Sequence, residues 1–314
     1  MEVGQSSEVR CWVCNSANIR TARDASYSSE LHSDDFAITD ARYGTTHAIC
    51  ECLSCGFLFC PYAPEVLPFY EELVDEAYES SRGPRELQAK QLVNQFQNGL
   101  SRIEGACLLD VGAGSGILVE QAQNAGFQAV GVEPSQWLAA VARERKLQVH
   151  CGVLPLPELE GQTFQVVSLV DVIEHVSDPL DLLREIRPLL SEDGRLFVIT
   201  PDVSSVAARI LGWRWWHYRL AHISYFDRHT LERLLNVAGF EVMNCSRPGW
   251  YFSLDYLVQR LNQYLPDALE FPVFQWMRSL RIPLNLRDSF MLVARPAESG
   301  PVDGSAIATG VSFD

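Results

Sequence analysis

The segment 108-LLDVGAGSGILVE-120 decides the fold, because an apolar run leads into a turn with three glycines and then into a helix-like pattern. Turns that bind dinucleotides follow the pattern G-x-G-x-x-G/A after a strand. Gly112 and Gly114 match the first two positions of that pattern. Ile117 stands where the third small residue belongs, and the remaining glycine is Gly116. The spacing is therefore D-x-G-x-G-x-G, which disfavours a nicotinamide-dependent dehydrogenase.

Two acidic residues beside this turn indicate what it binds. Asp110 lies just before the glycines, where a carboxylate would repel a diphosphate but could pair with an ammonium group. Glu133 ends the next apolar run, 129-AVGV-132, and a carboxylate there can accept hydrogen bonds from two vicinal ribose hydroxyls. The ligand should therefore contain a ribose and an ammonium group and lack phosphates, as S-adenosylmethionine does. The alternative is a chance glycine turn in a doubly wound fold.

Short apolar runs alternate with helical patterns from residue 106 onward. The strand candidates are residues 107–111, 129–132, 147–151, 166–170, 195–200, 240–245 and 289–295. The helix candidates between them are residues 117–127, 136–146, 179–190 and 229–240. Such alternation predicts right-handed crossovers and an α/β, Rossmann-like sheet that is mostly parallel, with helices on both faces.

Four segments, taken in order, resemble the class I S-adenosylmethionine-dependent methyltransferases, and most closely the ubiquinone-type O-methyltransferases. The segments are 108-LLDVGAGSG-116, 131-GVEPS-135, 166-VVSLVDVIEHVSDP-179 and 194-GRLFVITP-201. The resemblance covers roughly residues 80–295 and implies a seven-stranded sheet whose last strand is antiparallel. It also implies that Asp110 and the glycine turn hold the methionine part of the cofactor, and that Glu133 holds the ribose.

The resemblance implies two further contacts with the cofactor. Asp171, at the end of the fourth strand, would lie beside the methionine part, although a plain turn residue at the strand end is the alternative. Residues 151–159 would lie near the adenine, and Glu158 or Glu160 is the acidic residue available there.

The segment 171-DVIEHVSDP-179 suggests which kind of atom receives the methyl group. Enzymes that methylate amino groups of bases often carry N/D-P-P-Y/F at this place, and this chain does not. His175 is a candidate general base for a hydroxyl or an acidic C–H group, because an imidazole titrates near neutral pH. The alternative is that His175 orients a loop or caps a helix. Glu174 could fix the imidazole or contact the acceptor.

An aromatic stretch, 213-WRWWHYRLAHISYFD-227, follows the fifth strand, where this fold places part of the acceptor site. Aromatic side chains provide large contact areas for rings and sugars. By resemblance, His222 and Tyr225 would face the active site, and His217 is a lesser candidate. The alternative is a buried lid or a subunit contact.

Two C-x-x-C pairs near the N-terminus predict a structural zinc site in a small ribbon-like module, because four thiolates at this spacing suit tetrahedral zinc. The ligands would be Cys11, Cys14, Cys52 and Cys55. His47 and Cys50 are possible substitutes for one ligand, and a redox dithiol is the alternative. Such a unit ahead of a methyltransferase domain resembles the deoxysugar C-methyltransferases, which act on nucleotide-linked ketosugars. Those enzymes usually carry a further C-terminal domain, and the residues after the last strand candidate are not expected to form one.

The overall charge restricts the partners. The 314 residues carry 25 Lys and Arg against 40 Asp and Glu, a formal charge of −15, and residues 1–60 are acidic as well. An acidic surface repels phosphate groups, so nucleic acid and anionic membrane are poor default partners, and no nucleic-acid partner is expected. No apolar run is long enough to span a membrane, and no secretory signal is recognised, so a cytoplasmic location is expected.

The chain divides into four parts in this interpretation. They are a zinc-binding module (1–60), a helical linker or cap (61–104), a methyltransferase domain (105–295) and a disordered tail (296–314). The domain contains an aromatic lid (203–227) and an insertion (246–288) in which SLDYLVQRLNQYL and FPVFQWMRSL have helical spacing. The insertion could pack on the core, form a homodimer contact or touch lipid.

The sequence is compatible with several functions. The leading hypothesis is methyl transfer to a small hydroxylated or keto acceptor, with a sugar or glycan intermediate favoured. A lipid-linked or quinone acceptor is one alternative, and a non-catalytic scaffold that binds cofactor and zinc is another. An RNA methyltransferase is disfavoured by the acidic charge.

Overall fold

The computed structural model describes residues 9–28, 30–39, 42–98, 100 and 103–298. The N-terminal part contains three short strands and three helices. They are β1 (Ile19–Arg23), β2 (Ile49–Cys52), β3 (Leu58–Phe59), α1 (Leu67–Glu71), α2 (Glu76–Ser80) and α3 (Arg82–Phe96). The three helices lie within residues 61–104, where the sequence predicts a helical linker or cap. Most of the predicted tail, residues 299–314, lies outside the described residues.

Strands and helices then alternate, as the apolar pattern predicts. The first elements are β4 (Cys107–Val111), α4 (Ile117–Asn124), β5 (Gln128–Glu133), α5 (Gln136–Glu144), β6 (Val149–Cys151), β7 (Phe164–Val170), α6 (Pro179–Ile186) and β8 (Leu190–Pro201). The remaining elements are α7 (Val206–Leu211), β9 (Ser224–Tyr225), α8 (Arg228–Val237), β10 (Phe240–Ser246), β11 (Trp250–Ser253), α9 (Leu254–Asn262), β12 (Arg281–Leu284) and β13 (Ser289–Pro296).

The central sheet has seven strands in the order β10-β13-β8-β7-β4-β5-β6. Strands β8, β7, β4, β5 and β6 pair in parallel, whereas β13 pairs antiparallel with both β8 and β10. All seven predicted strands are present, and the predicted antiparallel last strand is confirmed. Consecutive side chains of a strand point to opposite faces, so Leu108 and Leu109 enter two different core layers.

Helices cover both faces of this sheet, which confirms the predicted α/β architecture. Apolar residues of α3, α4 and α5 form one layer, and those of α6 and α8 form part of the other. Local sequence signals set where the helices begin. Asp227 accepts a hydrogen bond from the amide of Thr230 at the start of α8, and Pro179 follows the cap Asp178 at the start of α6.

The N-terminal sheet is completed by a strand from the aromatic lid. Its order is β1-β2-β3-β9, and Leu58 of β3 pairs with Tyr225 of β9. Phe57 also packs on Phe226, with 4.9 Å between ring centroids. Residues 9–60 and the lid therefore share one sheet and one apolar contact region.

The prediction for the insertion is correct in its first half and wrong in its second. SLDYLVQRLNQYL contains α9, which packs beside the antiparallel pair β11 and β12. FPVFQWMRSL does not form an α-helix and contains only a 3₁₀ turn at Gln275–Ser279. Its apolar side chains are exposed, so no burial offsets the cost of helix formation, and Pro272 restricts the backbone at its start. No helix in the described part of the chain is long and apolar enough to cross a membrane.

Candidate active site

The glycine turn connects β4 to α4 and forms a narrow cradle. Gly112, Gly114 and Gly116 have φ values of 77°, 55° and 76°, in the region that favours glycine. A Cβ atom at Gly114 would lie 2.7 Å from the hydroxyl of Tyr78, and one at Gly112 would collide with Val172. Side chains are therefore excluded at the glycine positions of the turn for two reasons, the backbone conformation and the lack of space.

Two buried carboxyl groups lie beside this turn. Asp110 accepts a hydrogen bond from the Ser168 hydroxyl at 2.7 Å. The two oxygens of Glu133 accept from the backbone amides of Gly114 at 2.7 Å and Ser135 at 2.8 Å. Burial raises the pKa of each carboxyl group to about 7. Each is stabilised as an anion when a ligand brings hydrogen-bond donors or positive charge to it.

Asp171 follows β7 in a left-handed backbone conformation, with φ of 52°. Such a conformation is uncommon for a residue with a side chain, and it turns the chain where the strand ends. Desolvation by the surrounding protein raises the pKa of Asp171 to about 6, and the charges of His217 and Arg85 act in the opposite direction.

The first helices cover the glycine turn, and this contact is not evident from the sequence. Tyr78 of α2 places its hydroxyl over Gly114, and the guanidinium of Arg85 lies 4.2 Å from the centroid of the Tyr78 ring. Ser135 ties this cover to the sheet, because its hydroxyl donates to the carbonyl of Leu73 at 2.8 Å. Tyr78 and Arg85 are site residues that sequence reasoning missed, because neither belongs to a recognisable motif.

His175 is held in one tautomer by its neighbours. Its Nδ1 lies 2.7 Å from the carbonyl oxygen of Ala221 and 2.6 Å from the hydroxyl of Tyr70. A carbonyl oxygen only accepts, so Nδ1 carries the proton and Nε2 has a free lone pair in the neutral ring. Burial lowers the pKa of His175 to about 3, which keeps the ring neutral at pH 7. Tyr70 is a further residue that sequence reasoning missed.

The lid brings two more histidines next to His175, and the region that His175, His217 and His222 border is called the recess below. The His222 ring packs edge-on against His175, with 4.7 Å between centroids, and stacks on His217 at 5.6 Å. Nε2 of His217 lies 3.4 Å from a carboxylate oxygen of Asp288. Burial, together with His175, lowers the pKa of His222 well below its ordinary value. The structure therefore brings His175, His217 and His222 together.

The Tyr225 side chain contacts other residues of the lid. Its hydroxyl donates to the backbone carbonyl of His222 at 2.8 Å, and its ring packs on Tyr218 inside the core of the N-terminal sheet. A hydroxyl used in this way fixes the backbone of His222. An acceptor contact through Tyr225 stays a prediction from the resemblance.

Glu174 completes the recess next to His175. One of its oxygens accepts from the Thr200 hydroxyl at 2.9 Å, and the other has no hydrogen-bond partner among the described residues. Ligand atoms of Glu174, His175 and His222 all lie within 4.8 Å of one another. These groups could share a cation or a proton, and a proton is favoured because burial and Asp171 both raise the pKa of Glu174.

The four predicted zinc ligands lie together. Cys11 and Cys55 have their sulfur atoms 3.6 Å apart, and those of Cys14 and Cys52 are 3.5 Å apart. A tetrahedral site with Zn–S bonds of about 2.3 Å requires about 3.8 Å between sulfurs, so the cluster fits zinc. Burial raises the pKa of Cys52, but amide hydrogen bonds from Ser54 and Cys55 outweigh it and lower the pKa overall.

The two possible substitute ligands, His47 and Cys50, lie outside the cluster of four cysteines. His47 is buried, and its Nδ1 lies 3.0 Å from the Tyr27 hydroxyl. Cys50 is buried on β2 outside the cluster of four. The four paired cysteines are sufficient for a tetrahedral site without either residue.

The glycine cradle and its carboxyl groups fit the chemistry of S-adenosylmethionine. The turn leaves room for backbone contact, the carboxyl group of Glu133 is of the kind that accepts hydrogen bonds from ribose hydroxyls, and those of Asp110 and Asp171 could pair with an ammonium and a sulfonium. The chain's own anionic side chains thus complement a cofactor that carries positive charge and no phosphate.

Comparisons with known proteins agree with this fold. A family described as a methyltransferase domain matches residues 82–244, just over half of the chain. A ubiquinone biosynthesis O-methyltransferase from Haemophilus ducreyi is 32% identical over 118 residues, or 34% of this chain and 50% of the relative. One from Xanthomonas campestris pv. campestris is 34% identical over 105 residues, or 31% of this chain and 44% of the relative. The chain spans about half the length of these curated relatives.

A solved structure supports the fold independently. A chain from the complex between the Haloferax volcanii Trm112 methyltransferase activator and a methyltransferase superposes with a TM-score of 0.51 at 16% identity. The match covers 71% of this chain and 96% of that one. The present chain therefore belongs to the methyltransferase-domain family, among the class I S-adenosylmethionine-dependent methyltransferases.

Proposed function

We propose that this protein transfers a methyl group from S-adenosylmethionine to a hydroxyl oxygen, or to an acidic carbon beside a carbonyl, of a small acceptor. The observation that carries the proposal is the fixed tautomer of His175, whose Nε2 lone pair is free to accept a proton. The cofactor supplies the electrophilic methyl carbon. Glu133, Asp110 and Asp171 hold the cofactor, and the recess under the lid holds the acceptor.

The low pKa of His175 is compatible with a role as general base. A hydroxyl becomes far more acidic as its oxygen bonds to the methyl carbon, so even a weak base can remove its proton at that moment. The proton passes to Nε2 of His175, and Tyr70 and the Ala221 carbonyl keep the ring in position. Glu174, if protonated, could donate a hydrogen bond to a carbonyl or hydroxyl of the acceptor.

The preferred acceptor is a sugar or glycan intermediate. Support comes from the N-terminal cysteine module, which resembles that of deoxysugar methyltransferases, and from the polar groups of the recess, including His217 and Asp288. A second candidate is the phenolic hydroxyl of a quinone-type or lipid-linked acceptor, because the curated relatives are ubiquinone biosynthesis O-methyltransferases. The cysteine module would bind structural zinc in either case.

Methyl-labelled S-adenosylmethionine in an extract of the source cells, followed by separation of aqueous and organic phases, tests this proposal. Label in the aqueous small-molecule fraction supports a sugar acceptor, and label in the organic phase supports the lipid-linked alternative. His175→Ala should lower turnover by at least about 100-fold, because general base catalysis contributes roughly that much. Its affinity for S-adenosylhomocysteine should stay within about twofold, since the glycine turn is untouched.

His229→Ala is the matched control, because His229 is an exposed histidine at the start of α8. It should leave both turnover and affinity unchanged. Full turnover in His175→Ala would exclude His175 as the base. Binding of S-adenosylhomocysteine without labelling of any fraction by the unaltered protein would favour the non-catalytic scaffold.

A further inference from the structure

Residues 271–287, between α9 and β13, form a surface segment with many exposed apolar side chains. Six large apolar residues there are between 41% and 57% exposed: Phe271, Val273, Phe274, Trp276, Leu280 and Leu286. Single exposed apolar residues are normal on a protein surface, but a concentration of this kind marks a site of interaction.

The charge of this segment is opposite to that of the whole chain. It contains Arg278, Arg281 and Arg287 and no Asp or Glu, whereas the chain carries −15. All three arginines are exposed. Arg278 lies 3.3 Å from the buried Asp255, but its own side chain is 73% exposed and can also reach an anionic partner in solvent.

Neighbouring elements hold the segment in place. The side chain of Asn262, at the end of α9, makes two hydrogen bonds to the backbone of Phe271, at 2.9 and 3.0 Å. The rings of Phe274 and Trp276 stack at 6.4 Å, and β12 pairs with β11. The apolar side chains are thus presented to solvent by an ordered scaffold, which lowers the entropic cost of binding.

We propose that residues 271–287 dock this protein on an anionic lipid bilayer. Trp and Phe side chains favour the headgroup level of a membrane, and each arginine near an anionic surface adds to binding. A second copy of the chain is a poorer partner. A two-fold interface places the same patch against itself, so three arginines would face three arginines, and Asp255 already pairs with Arg278 within its own chain.

The docking segment is connected to the acceptor side of the recess. Asp288 directly follows it and accepts a hydrogen bond from the indole of Trp216 at 2.8 Å. The Tyr264 hydroxyl, beyond α9, donates to the carbonyl of Arg214 in the lid at 2.9 Å. A protein docked through residues 271–287 therefore holds its lid close to the lipid surface. The proposal does not depend on which acceptor is methylated.

Vesicle flotation with the full chain tests the proposal without any acceptor. The probes are phosphatidylcholine vesicles and vesicles with equal parts of phosphatidylcholine and phosphatidylglycerol. The unaltered protein should float with the anionic vesicles and be released by added salt. Phe274→Ser/Trp276→Ser should weaken partitioning at least about tenfold, and Arg278→Gln/Arg281→Gln should weaken it on the anionic vesicles by a similar factor.

Tyr62→Ser/Met243→Ser is the matched control, because it removes two exposed apolar side chains outside the segment. It should float like the unaltered protein. Retained binding of S-adenosylhomocysteine by every variant shows that each is folded, and separates this test from the proposed activity. The proposal is overturned if the unaltered protein does not float. It is also overturned if the control loses as much binding as Phe274→Ser/Trp276→Ser, or if that variant only abolishes a dimer.

Discussion

Burial acts in opposite directions on His175 and Asp110. It lowers the pKa of the imidazole to about 3 and raises that of the carboxyl group to about 7, because the charged form of each group is disfavoured away from water. The histidine is therefore neutral and ready to accept a proton. The carboxyl group becomes fully ionised at neutral pH only when a positively charged ligand pairs with it.

Asp110→Asn should stabilise the cofactor-free protein and weaken cofactor binding. The folded-state pKa of Asp110 lies above its ordinary value of 3.8, so its stabilising contribution is lost as the pH rises toward about 7. The free energy of unfolding that asparagine adds should grow between pH 3.8 and about 7 and then level off. At roughly 1.4 kcal/mol per pKa unit, the increase should not exceed about 4 kcal/mol. Urea unfolding at several pH values measures it.

The same variant should bind S-adenosylhomocysteine at least about tenfold more weakly by calorimetry, because the amide has no charge to pair with the ammonium group. Asparagine can still accept the hydrogen bond from Ser168, so packing is retained. Asp181→Asn, an exposed change on α6, should alter neither quantity. Unchanged cofactor affinity in Asp110→Asn would remove Asp110 from the site.

The sequence predicts some site residues well and others not at all, for a physical reason. The three glycines occur within five residues, and their spacing alone indicates the turn. Tyr70 contacts His175 across 105 positions of sequence, and Tyr78 reaches Gly114 from a separate helix. These contacts depend on how α1 and α2 pack over the sheet, and no local pattern specifies that packing.

At the scale of elements, periodicity predicts buried strands better than exposed segments. The seven strands of the central sheet are all present because burial of their apolar side chains in the two core layers stabilises each of them. FPVFQWMRSL has helical spacing but lies on the surface, so no contact with the core stabilises a helix there. The strand β9 is also missed, because two residues paired with a distant segment carry no alternating pattern.

The pairing of β3 with β9 predicts how the cysteine module affects catalysis. Cys14→Ser, or removal of zinc with a chelator, should lower turnover more than cofactor affinity. The reason is position: β9 begins two residues after His222, whereas the glycine turn follows β4 in the central sheet. Metal analysis, a turnover assay and binding of S-adenosylhomocysteine measure the three quantities.

Cys151→Ser is the control for this experiment, because Cys151 is exposed and lies outside the cluster of four. It should retain about one zinc per chain and full turnover. A protein that binds no zinc when refolded with the metal would refute the site. Equal loss of cofactor affinity and turnover would refute the selective link to His222.

At the scale of the whole molecule, the N-terminal sheet and the central sheet share one core. Cys11, Cys52 and Phe57 belong to the same apolar cluster as Leu231 and Phe290. A shared core of this kind predicts that the two parts unfold together. Heating should therefore give one transition, in which zinc release coincides with loss of helical signal.

S-adenosylhomocysteine should raise the midpoint of both signals by the same amount, because a ligand that binds only the folded state stabilises every part that unfolds with it. A zinc indicator dye and circular dichroism, followed in the same temperature scan, check this. Zinc release well below the main transition, with no response to the ligand, would show that the cysteine module unfolds separately.

The contribution of β9 to the first sheet constrains the order of events during synthesis. Leu58 leaves the ribosome early, but its partner Tyr225 emerges only after most of the methyltransferase domain has been made. Until then one edge of β3 is unpaired, and the apolar Phe57 and Phe59 beside it lack the packing supplied by Phe226. An open strand edge invites pairing with other chains. The nascent polypeptide thus passes through an aggregation-prone interval, which ends when translation reaches the lid.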